Sequence, residues 1–161
     1  METPREIRAA LGRLAVAFLV MVVFPASARA AISCTVSTTS INFGTTYNVF
    51  TSTPTDSIAT ITYSCSGFSS TLPIRITLSA GHSLNILDRI FLGPDTMQYN
   101  LYQDAGHSVI WGDTVATDVD ITIAKADRGK NLTVTIYGRV PALQDVASGS
   151  YSDTITVSVI Y

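Results

Sequence analysis

Apolar and polar positions alternate most regularly in the last part of the chain. An extended strand running from Asp153 to the final residue would carry its large apolar side chains on one side, at Ile155, Val157, Val159 and Tyr161. The other side is polar apart from Ile160. This period of two predicts a half-buried β-strand. A strand needs hydrogen-bond partners along both edges, so an edge without a neighbour on this chain would need one from elsewhere.

Shorter stretches of the same alternation recur through the sequence. They predict strands at 34–43, with an interruption at 37–40, and at 58–65, 72–78, 97–102, 109–111, 119–123 and 132–137. Turn residues separate these stretches, and no stretch keeps a convincing helical period of 3.6 residues. Many short strands divided by turn signals are typical of an all-β sandwich.

Two of the predicted strands indicate where the core lies. In 58–65 the residues that share one face are Ala59, Ile61, Tyr63 and Cys65. In 72–78 the inward residues are Leu72, Ile74, Ile76 and Leu78. The connection 80–95 carries too many apolar residues for a bare loop, so we expect it to lie across the core with a short helical turn or strand. The polar segment 45–57 predicts an ordered loop.

The first thirty residues have the three parts of a secretory signal peptide. A basic start is followed by an apolar run at 14–24 and by small residues before a predicted cleavage site between Ala30 and Ala31. The basic residues of the start are Arg5, Arg8 and Arg13. A membrane anchor is the alternative, but this apolar run is too short for a bilayer that needs about 20 residues. We therefore predict a signal peptide at 1–30 and one domain at 31–161.

Residues 31–161 are weakly acidic. Six Lys and Arg stand against ten Asp and no Glu, which gives a net charge of −4 at neutral pH. A chain without a basic cluster is not expected to bind nucleic acid or anionic membrane surfaces. Low charge on an exported domain favours contact with other protein.

The chain has two cysteines, Cys34 and Cys65, and both follow the predicted cleavage site. In an oxidising compartment a single disulfide between them is the expected state, with two buried thiols as the alternative. A loop of this length predicts about 3 to 4 kcal/mol of stabilisation from the disulfide. Two cysteines alone do not make a zinc site, and neither histidine has ligand spacing to them.

Catalytic and metal sites have little support in the sequence. His82 and His107 both follow a glycine in turn-like contexts, which predicts solvated histidines rather than catalytic bases. The acidic residues that lie closest together are Asp113, Asp118 and Asp120. A calcium ion on Asp118 and Asp120 is one interpretation, but the spacing matches no cation loop, and a solvated rim is the preferred one. We predict no enzyme activity, no metal and no cofactor.

Aromatic residues are the remaining candidates for ligand binding, as a platform for sugar rings. They are Tyr47, Tyr99, Tyr102, Trp111, Tyr137, Tyr151 and Tyr161. Rings placed in alternating strands more often pack in the core and at its rim, so packing is the preferred interpretation.

Seven stretches, taken together and in order, resemble the spore coat protein U domain family, which includes subunits of archaic (Csu-type) chaperone-usher pili. They are Cys34-Thr-Val-Ser, Ile41-Asn-Phe-Gly, Ile61-Thr-Tyr-Ser-Cys, Tyr99-Asn-Leu-Tyr-Gln-Asp, Trp111-Gly-Asp, Tyr137-Gly-Arg-Val-Pro and Gly149-Ser-Tyr-Ser-Asp. Each stretch alone is a weak signal. The ordered set covers essentially all of residues 31–161.

The resemblance implies an immunoglobulin-like β-sandwich that lacks its last strand. In such families a periplasmic chaperone lends a strand, and at the outer-membrane usher a segment of the neighbouring pilin subunit replaces it. The pairing strand would then be the one with Ile155, Val157, Val159 and Tyr161 on its apolar side. The implied function is a secreted structural subunit of a surface pilus or coat. The alternative is a secreted module, like a tip adhesin, that binds carbohydrate or a surface.

The predicted cleavage leaves three residues before Cys34, a reach of about 10 Å. Such a tail is too short to fill a groove of strand length. We therefore expect the subunit to accept a donor strand without giving one, as a terminal subunit or a coat protein would.

Overall fold

Residues 31–161, the part of the chain that the computed structural model describes, form eight β-strands in two sheets. The strands are Ser33–Thr38 (β1), Thr55–Ser66 (β2), Leu72–Leu78 (β3), Arg89–Phe91 (β4), Met97–Tyr102 (β5), Val119–Ile123 (β6), Leu132–Val140 (β7) and Val157–Ile160 (β8). Short 3₁₀ turns lie at Gly81–Ser83 and Lys125–Asp127. The predicted signal peptide at 1–30, including Ala30 of the cleavage site, lies outside the described residues.

The larger sheet has the strand order β1-β2-β7-β5-β4. Its centre is the long antiparallel pair of β2 and β7, which runs from Thr55 opposite Val140 to Tyr63 opposite Leu132. Cys34 of β1 lies directly opposite Cys65 of β2, and the two form a disulfide. The first strand is therefore held to the second by a covalent bond as well as by its hydrogen bonds.

The smaller sheet has the order β6-β3-β8, with β3 in the middle. All four inward positions predicted for β3 are buried, and its bounds agree with the predicted strand. The predicted core face of β2 is buried in the same way. The two faces enclose Trp111, which is fully buried and donates its indole N–H to the carbonyl of Ile76 at 2.9 Å.

The two ends of the sandwich differ in the length of their loops. One end, which we call the short-loop end, consists of 67–71 and 124–131. The other, the long-loop end, consists of 39–54, 79–88, 92–96, 112–118 and 141–156. As predicted, the connection between β3 and β5 contains a short helical turn and the short strand β4.

A fully buried arginine joins the long-loop end to the core. Arg89 donates from Nη2 to the carbonyls of Trp111 and Ser79, both at 2.8 Å, and from Nη1 to Oδ1 of Asn100 at 2.8 Å. Its Nε donates to the Ser79 carbonyl at 3.1 Å. Burial lowers the pKa of Arg89, and its direct partners are neutral oxygen atoms.

Three predicted strands differ from the structure. The strand predicted at 34–43 ends at Thr38 without the expected interruption, and Ile41 and Phe43 lie in the following loop, because that loop packs over β7 at Gly138 instead of pairing. The segment 109–111 is not a strand: Ile110 makes one isolated bridge to Tyr102, and Trp111 turns into the core. The last strand is shorter than its alternation suggested, because β8 begins only at Val157. Within residues 31–161, no helix has the length and hydropathy to cross a membrane.

Candidate strand-binding groove

The last strand, β8, has a partner on one edge only. It pairs with β3 from Val157 opposite Leu78 to Ile160 opposite Arg75. Among residues 31–161, no strand pairs with its other edge. Backbone donors and acceptors along that edge are therefore available to another strand.

A groove lies between the segment that precedes β8 and the segment that follows β1. Its cavity has a volume of about 510 Å³ and lies between 41–47 on one side and 149–155 on the other. Half of the residues that line it are apolar or aromatic, among them Ile41, Phe43, Phe91, Tyr99, Tyr151 and Ile155. The groove is thus suited to apolar side chains from a partner.

Three aromatic rings form the floor of the groove. The rings of Phe91 and Tyr99 stack with centroids 4.1 Å apart, and Phe43 meets Phe91 edge-on at 5.8 Å. Burial and a hydrogen bond to Asp153 raise the pKa of the Tyr99 hydroxyl far above its ordinary value. The hydroxyl therefore stays protonated and donates to Oδ2 of Asp153 at 2.6 Å.

The wall formed by 41–47 rests on β7 and on the loop after it. Gly138 of β7 leaves room for that wall, because a Cβ there would lie 2.4 Å from Cδ1 of Ile41. Tyr47 fixes the far end of the wall by donating its hydroxyl to the Pro141 carbonyl at 2.6 Å. The same hydroxyl accepts the backbone N–H of Gln144 at 3.0 Å. These contacts keep the wall in place without ladder pairing.

The predicted pairing positions are only partly covered by the chain's own residues. Ile155, Val157 and Val159 are half-buried and pack against the core. Tyr161 follows the end of β8 and is 56 % exposed. These three side chains therefore point toward the core but stay partly exposed beside the open edge. A strand that pairs with that edge would cover them further.

One of the two predicted solvated histidines is buried instead. The side chain of His107 is 7 % exposed and stands edge-on between the rings of Tyr102 and Tyr137. Its Nε2 lies 3.8 Å from Oδ1 of Asp56. The prediction was wrong for His107 because the turn that carries it folds back over the outer face of the larger sheet. His82 is exposed, as expected.

The acidic group does not form one solvated rim. Asp118 is buried, and its Oδ2 accepts a hydrogen bond from Nη1 of Arg75 at 3.3 Å. The solvated-rim prediction was therefore wrong for Asp118, whereas Asp113 and Asp120 are exposed. In the described part of the chain, no group of three or more His, Cys, Asp and Glu side chains is placed to hold a metal ion.

The aromatic residues do not form one platform. Trp111 and Tyr99 belong to the core, and Tyr102 and Tyr137 pack around His107. Tyr161 is the most exposed aromatic residue of the candidate set. Packing, the preferred interpretation of the sequence, describes most of these rings.

Sequence reasoning missed Asp153 as a groove residue. It is half-buried in the groove wall and bonds Tyr99 of β5 in the larger sheet. The available signals were its place at the start of the last alternating run and at the end of the stretch Gly149-Ser-Tyr-Ser-Asp.

An all-β sandwich with an open strand edge beside an apolar groove is typical of domains that are completed by a strand from another chain. The comparison with family models then identifies the family. The Spore Coat Protein U domain matches residues 20–158, so the chain belongs to the spore coat protein U domain family.

Two further similarities agree with this assignment. The chain is 27 % identical over 99 residues to Protein U of Myxococcus xanthus, which covers 62 % of this chain and 47 % of the relative. The chain therefore spans about half the length of that relative. Its structure resembles the CsuC–CsuE chaperone-tip adhesion subunit pre-assembly complex of archaic chaperone-usher Csu pili of Acinetobacter baumannii, with a TM-score of 0.55 and 18 % identity. That match covers 81 % of this chain and 40 % of the other, and it confirms the predicted immunoglobulin-like fold.

Proposed function

We propose that this protein is a secreted structural subunit of a surface pilus or coat, and that it is completed by a donor strand in the groove beside β8. A periplasmic chaperone would supply the strand first. A neighbouring pilin subunit would replace it at an outer-membrane usher. The observation that carries the proposal is the unpaired edge of β8, together with a cavity of about 510 Å³ that extends to Ile155, two residues before that strand.

A donor strand would correct two deficits at once. Its backbone would pair with the open edge, and its alternate apolar side chains would cover Ile155, Val157 and Val159. Each Å² of apolar surface removed from water contributes about 25 cal/mol. Because only the folded domain offers this groove, donor binding would stabilise the fold by an amount that rises with the logarithm of donor concentration divided by the dissociation constant.

Export is part of the proposal. The disulfide between Cys34 and Cys65 is suited to an oxidising compartment, which supports passage through the periplasm to the cell surface. We assign residues 1–30 to a signal peptide that is cleaved between Ala30 and Ala31. The matching family is one of structural domains, which supports a role other than catalysis.

Expression in a bacterial periplasm with and without a candidate chaperone tests the proposal. We expect the two proteins to co-elute in size-exclusion chromatography, and we expect the chaperone to raise the melting temperature of the subunit. A subunit that melts at the same temperature with and without the chaperone, and that elutes alone, would contradict it. Mass spectrometry of the exported protein tests the cleavage site, since the expected N-terminal residue is Ala31.

A second candidate function, a surface-binding module like a tip adhesin, has one observation in its favour. Several large apolar side chains are exposed in the long loops: Phe50, Leu84, Leu87, Leu92, Val115 and Leu143. Among the described residues, the two short loops contain none of the exposed large apolar side chains. Exposed apolar groups that gather at one end of a domain often mark an interaction surface.

Binding assays on glycan arrays and on an apolar surface separate the two functions. Phe50→Ser at the tip of a long loop should abolish adhesion if this end binds. Ile58→Ser is the matched control, because Ile58 is exposed to 66 % but lies on strand β2 and not in a loop. Equal adhesion by both variants and the wild type would exclude the loops as the binding surface.

The expectation that the subunit accepts a strand without giving one stays a prediction. Long fibres that grow from the purified mature protein alone, and that require residues 31–33, would contradict it.

A further inference from the structure

The segment before β8 changes from one sheet to the other. Ser152 and Leu92 exchange two backbone hydrogen bonds of 2.9 and 2.7 Å, which extends the β4 edge of the larger sheet. Five residues later, Val157 pairs with Leu78 in the smaller sheet. The intervening residues therefore bridge the two layers, and they do so where they form one wall of the groove.

Asp153 bonds to both layers at the start of this crossing. Its Oδ2 accepts the hydroxyl of Tyr99, from β5 of the larger sheet, at 2.6 Å. Its Oδ1 accepts the backbone N–H of His82, in the turn after β3 of the smaller sheet, at 3.1 Å. It also accepts the N–H of Thr154 at 2.7 Å, which fixes the direction in which the chain leaves Asp153. One carboxylate thus holds three points of the chain together.

The site is shaped for a carboxylate. Gly81 has a φ of +68°, and a Cβ at this position would lie 2.0 Å from Oδ2 of Asp153. Only glycine therefore gives both the backbone conformation and the space that the carboxylate occupies. The carboxylate of Asp153 therefore fits closely between Gly81 and the hydroxyl of Tyr99.

The other end of the crossing is held by a second pair of contacts. Ser79 donates its N–H to the carbonyl of Thr156 at 3.0 Å, and its Oγ accepts the N–H of Thr156 at 2.9 Å. The carbonyl of Ser79 is in turn fixed by the buried Arg89. Both ends of 153–156 are therefore anchored, although this segment has no ladder partner among the described strands.

From this geometry we infer that Asp153 is a positioning residue for donor-strand acceptance: it holds 153–156 so that the open edge and the side chain of Ile155 keep the alignment a donor needs. This inference rests on the proposed function. It adds a specific role for one residue that contacts the groove wall, and it assigns the donor no chemistry beyond alternate apolar side chains.

The test measures donor affinity by fluorescence anisotropy on the protein purified from the periplasm. The probes are four labelled 11-residue peptides with Val, Ile, Leu or Phe at alternate positions and Thr between them. Asp153→Ala should weaken the binding of the best probe about tenfold or more, since a buried hydroxyl and a backbone N–H lose their acceptor. Asp153→Asn keeps one acceptor oxygen, which can still serve the backbone N–H groups of His82 and Thr154, and should weaken binding less than Asp153→Ala does.

Matched controls separate positioning from a general loss of stability. Ile123→Val removes one methylene from a fully buried side chain at the short-loop end, far from the groove, and should change affinity less than about twofold. Tyr99→Phe removes only the hydroxyl that Asp153 accepts, and it keeps the inference testable if Asp153→Ala does not fold. It should also weaken binding, and adding Asp153→Asn to it should cost little more.

The outcomes distinguish the two claims. Normal affinity in both Asp153→Ala and Tyr99→Phe would overturn the positioning role while leaving the proposed function intact. The positioning role would also be overturned if Asp153→Ala lost no more donor affinity than Ile123→Val, with both variants measured under conditions of equal stability. A wild-type protein that binds neither the peptides nor a chaperone would refute the proposed function, and the positioning role with it.

Discussion

Replacing Arg89 by Met removes the buried charge at the long-loop end while keeping an unbranched, flexible side chain. Arg89 is fully buried, and its guanidinium donates to the carbonyls of Ser79 and Trp111 and to the side-chain oxygen of Asn100. In Arg89→Met these acceptors stay buried while their donor is lost. We therefore expect the variant to be markedly less stable.

The size of the effect follows from the acceptors that are left. The Asn100 oxygen still accepts the N–H of Leu101, so the carbonyls of Ser79 and Trp111 carry most of the loss. A buried acceptor without a partner costs about 1 to 3 kcal/mol, or about 2 to 6 for the two. Because burial lowers the pKa of Arg89, removal of the charge recovers part of this cost. We expect a net loss of about 3 kcal/mol in the free energy of unfolding.

Urea unfolding followed by fluorescence provides the assay. Trp111 is the chain's single tryptophan and is fully buried, and its own carbonyl accepts from Arg89, so its emission reports on this region. Arg89→Lys, which keeps the charge but has fewer donors, should lose about half as much. If Arg89→Met were within about 1 kcal/mol of wild type, or more stable, the buried hydrogen bonds would not have the importance argued for them.

Three further variants have expected outcomes. Replacing both Cys34 and Cys65 by Ala should lower the free energy of unfolding by about 3 to 4 kcal/mol, judged by urea unfolding with the reduced wild type as control. The hydrogen bond from Arg139 lowers the pKa of Asp56. The ionised Asp56 therefore stabilises the fold above pH about 4, and this stabilisation is lost as the pH falls through the lowered pKa. Arg139→Ala should therefore cost up to about 1 kcal/mol at pH 7 and less at pH 2, and an equal cost at both pH values would contradict this. Gly138→Ala should displace the groove wall and cost about 1 to 3 kcal/mol, and an unchanged urea midpoint would contradict it.

The strands could be predicted best where alternation and burial agree. The prediction for β3 was correct in both its bounds and its inward face, because it lies in the centre of its sheet and its apolar residues alternate without interruption. The segment 109–111 is as apolar, yet it is not a strand. There the side chain of Trp111 turns into the core. The space between the two sheets determines this conformation, and the local sequence pattern does not.

The groove was less accessible to sequence reasoning because its residues are far apart in the chain. The alternation indicated the apolar side of the last strand, but it gave no sign that β8 begins only at Val157. Asp153 and Tyr99 are 54 residues apart, and neither position has a local pattern that announces the other. The buried positions of Arg89 and His107 escaped prediction for the same reason, since both depend on long-range packing.

The short pairing of β8 has a consequence for the stability of the whole domain. Its ladder to β3 covers four residues, and the residues before it are held mainly by the contacts of Asp153 and Thr156. A strand so lightly held gains more from a second partner than a strand in the middle of a sheet would. If the donor is present at about 100 times its dissociation constant, it adds about 2.7 kcal/mol to the free energy of unfolding. The melting temperature of the exported domain should therefore rise with donor concentration, and a melting temperature that is independent of donor would mean that the open edge of β8 is not where assembly takes place.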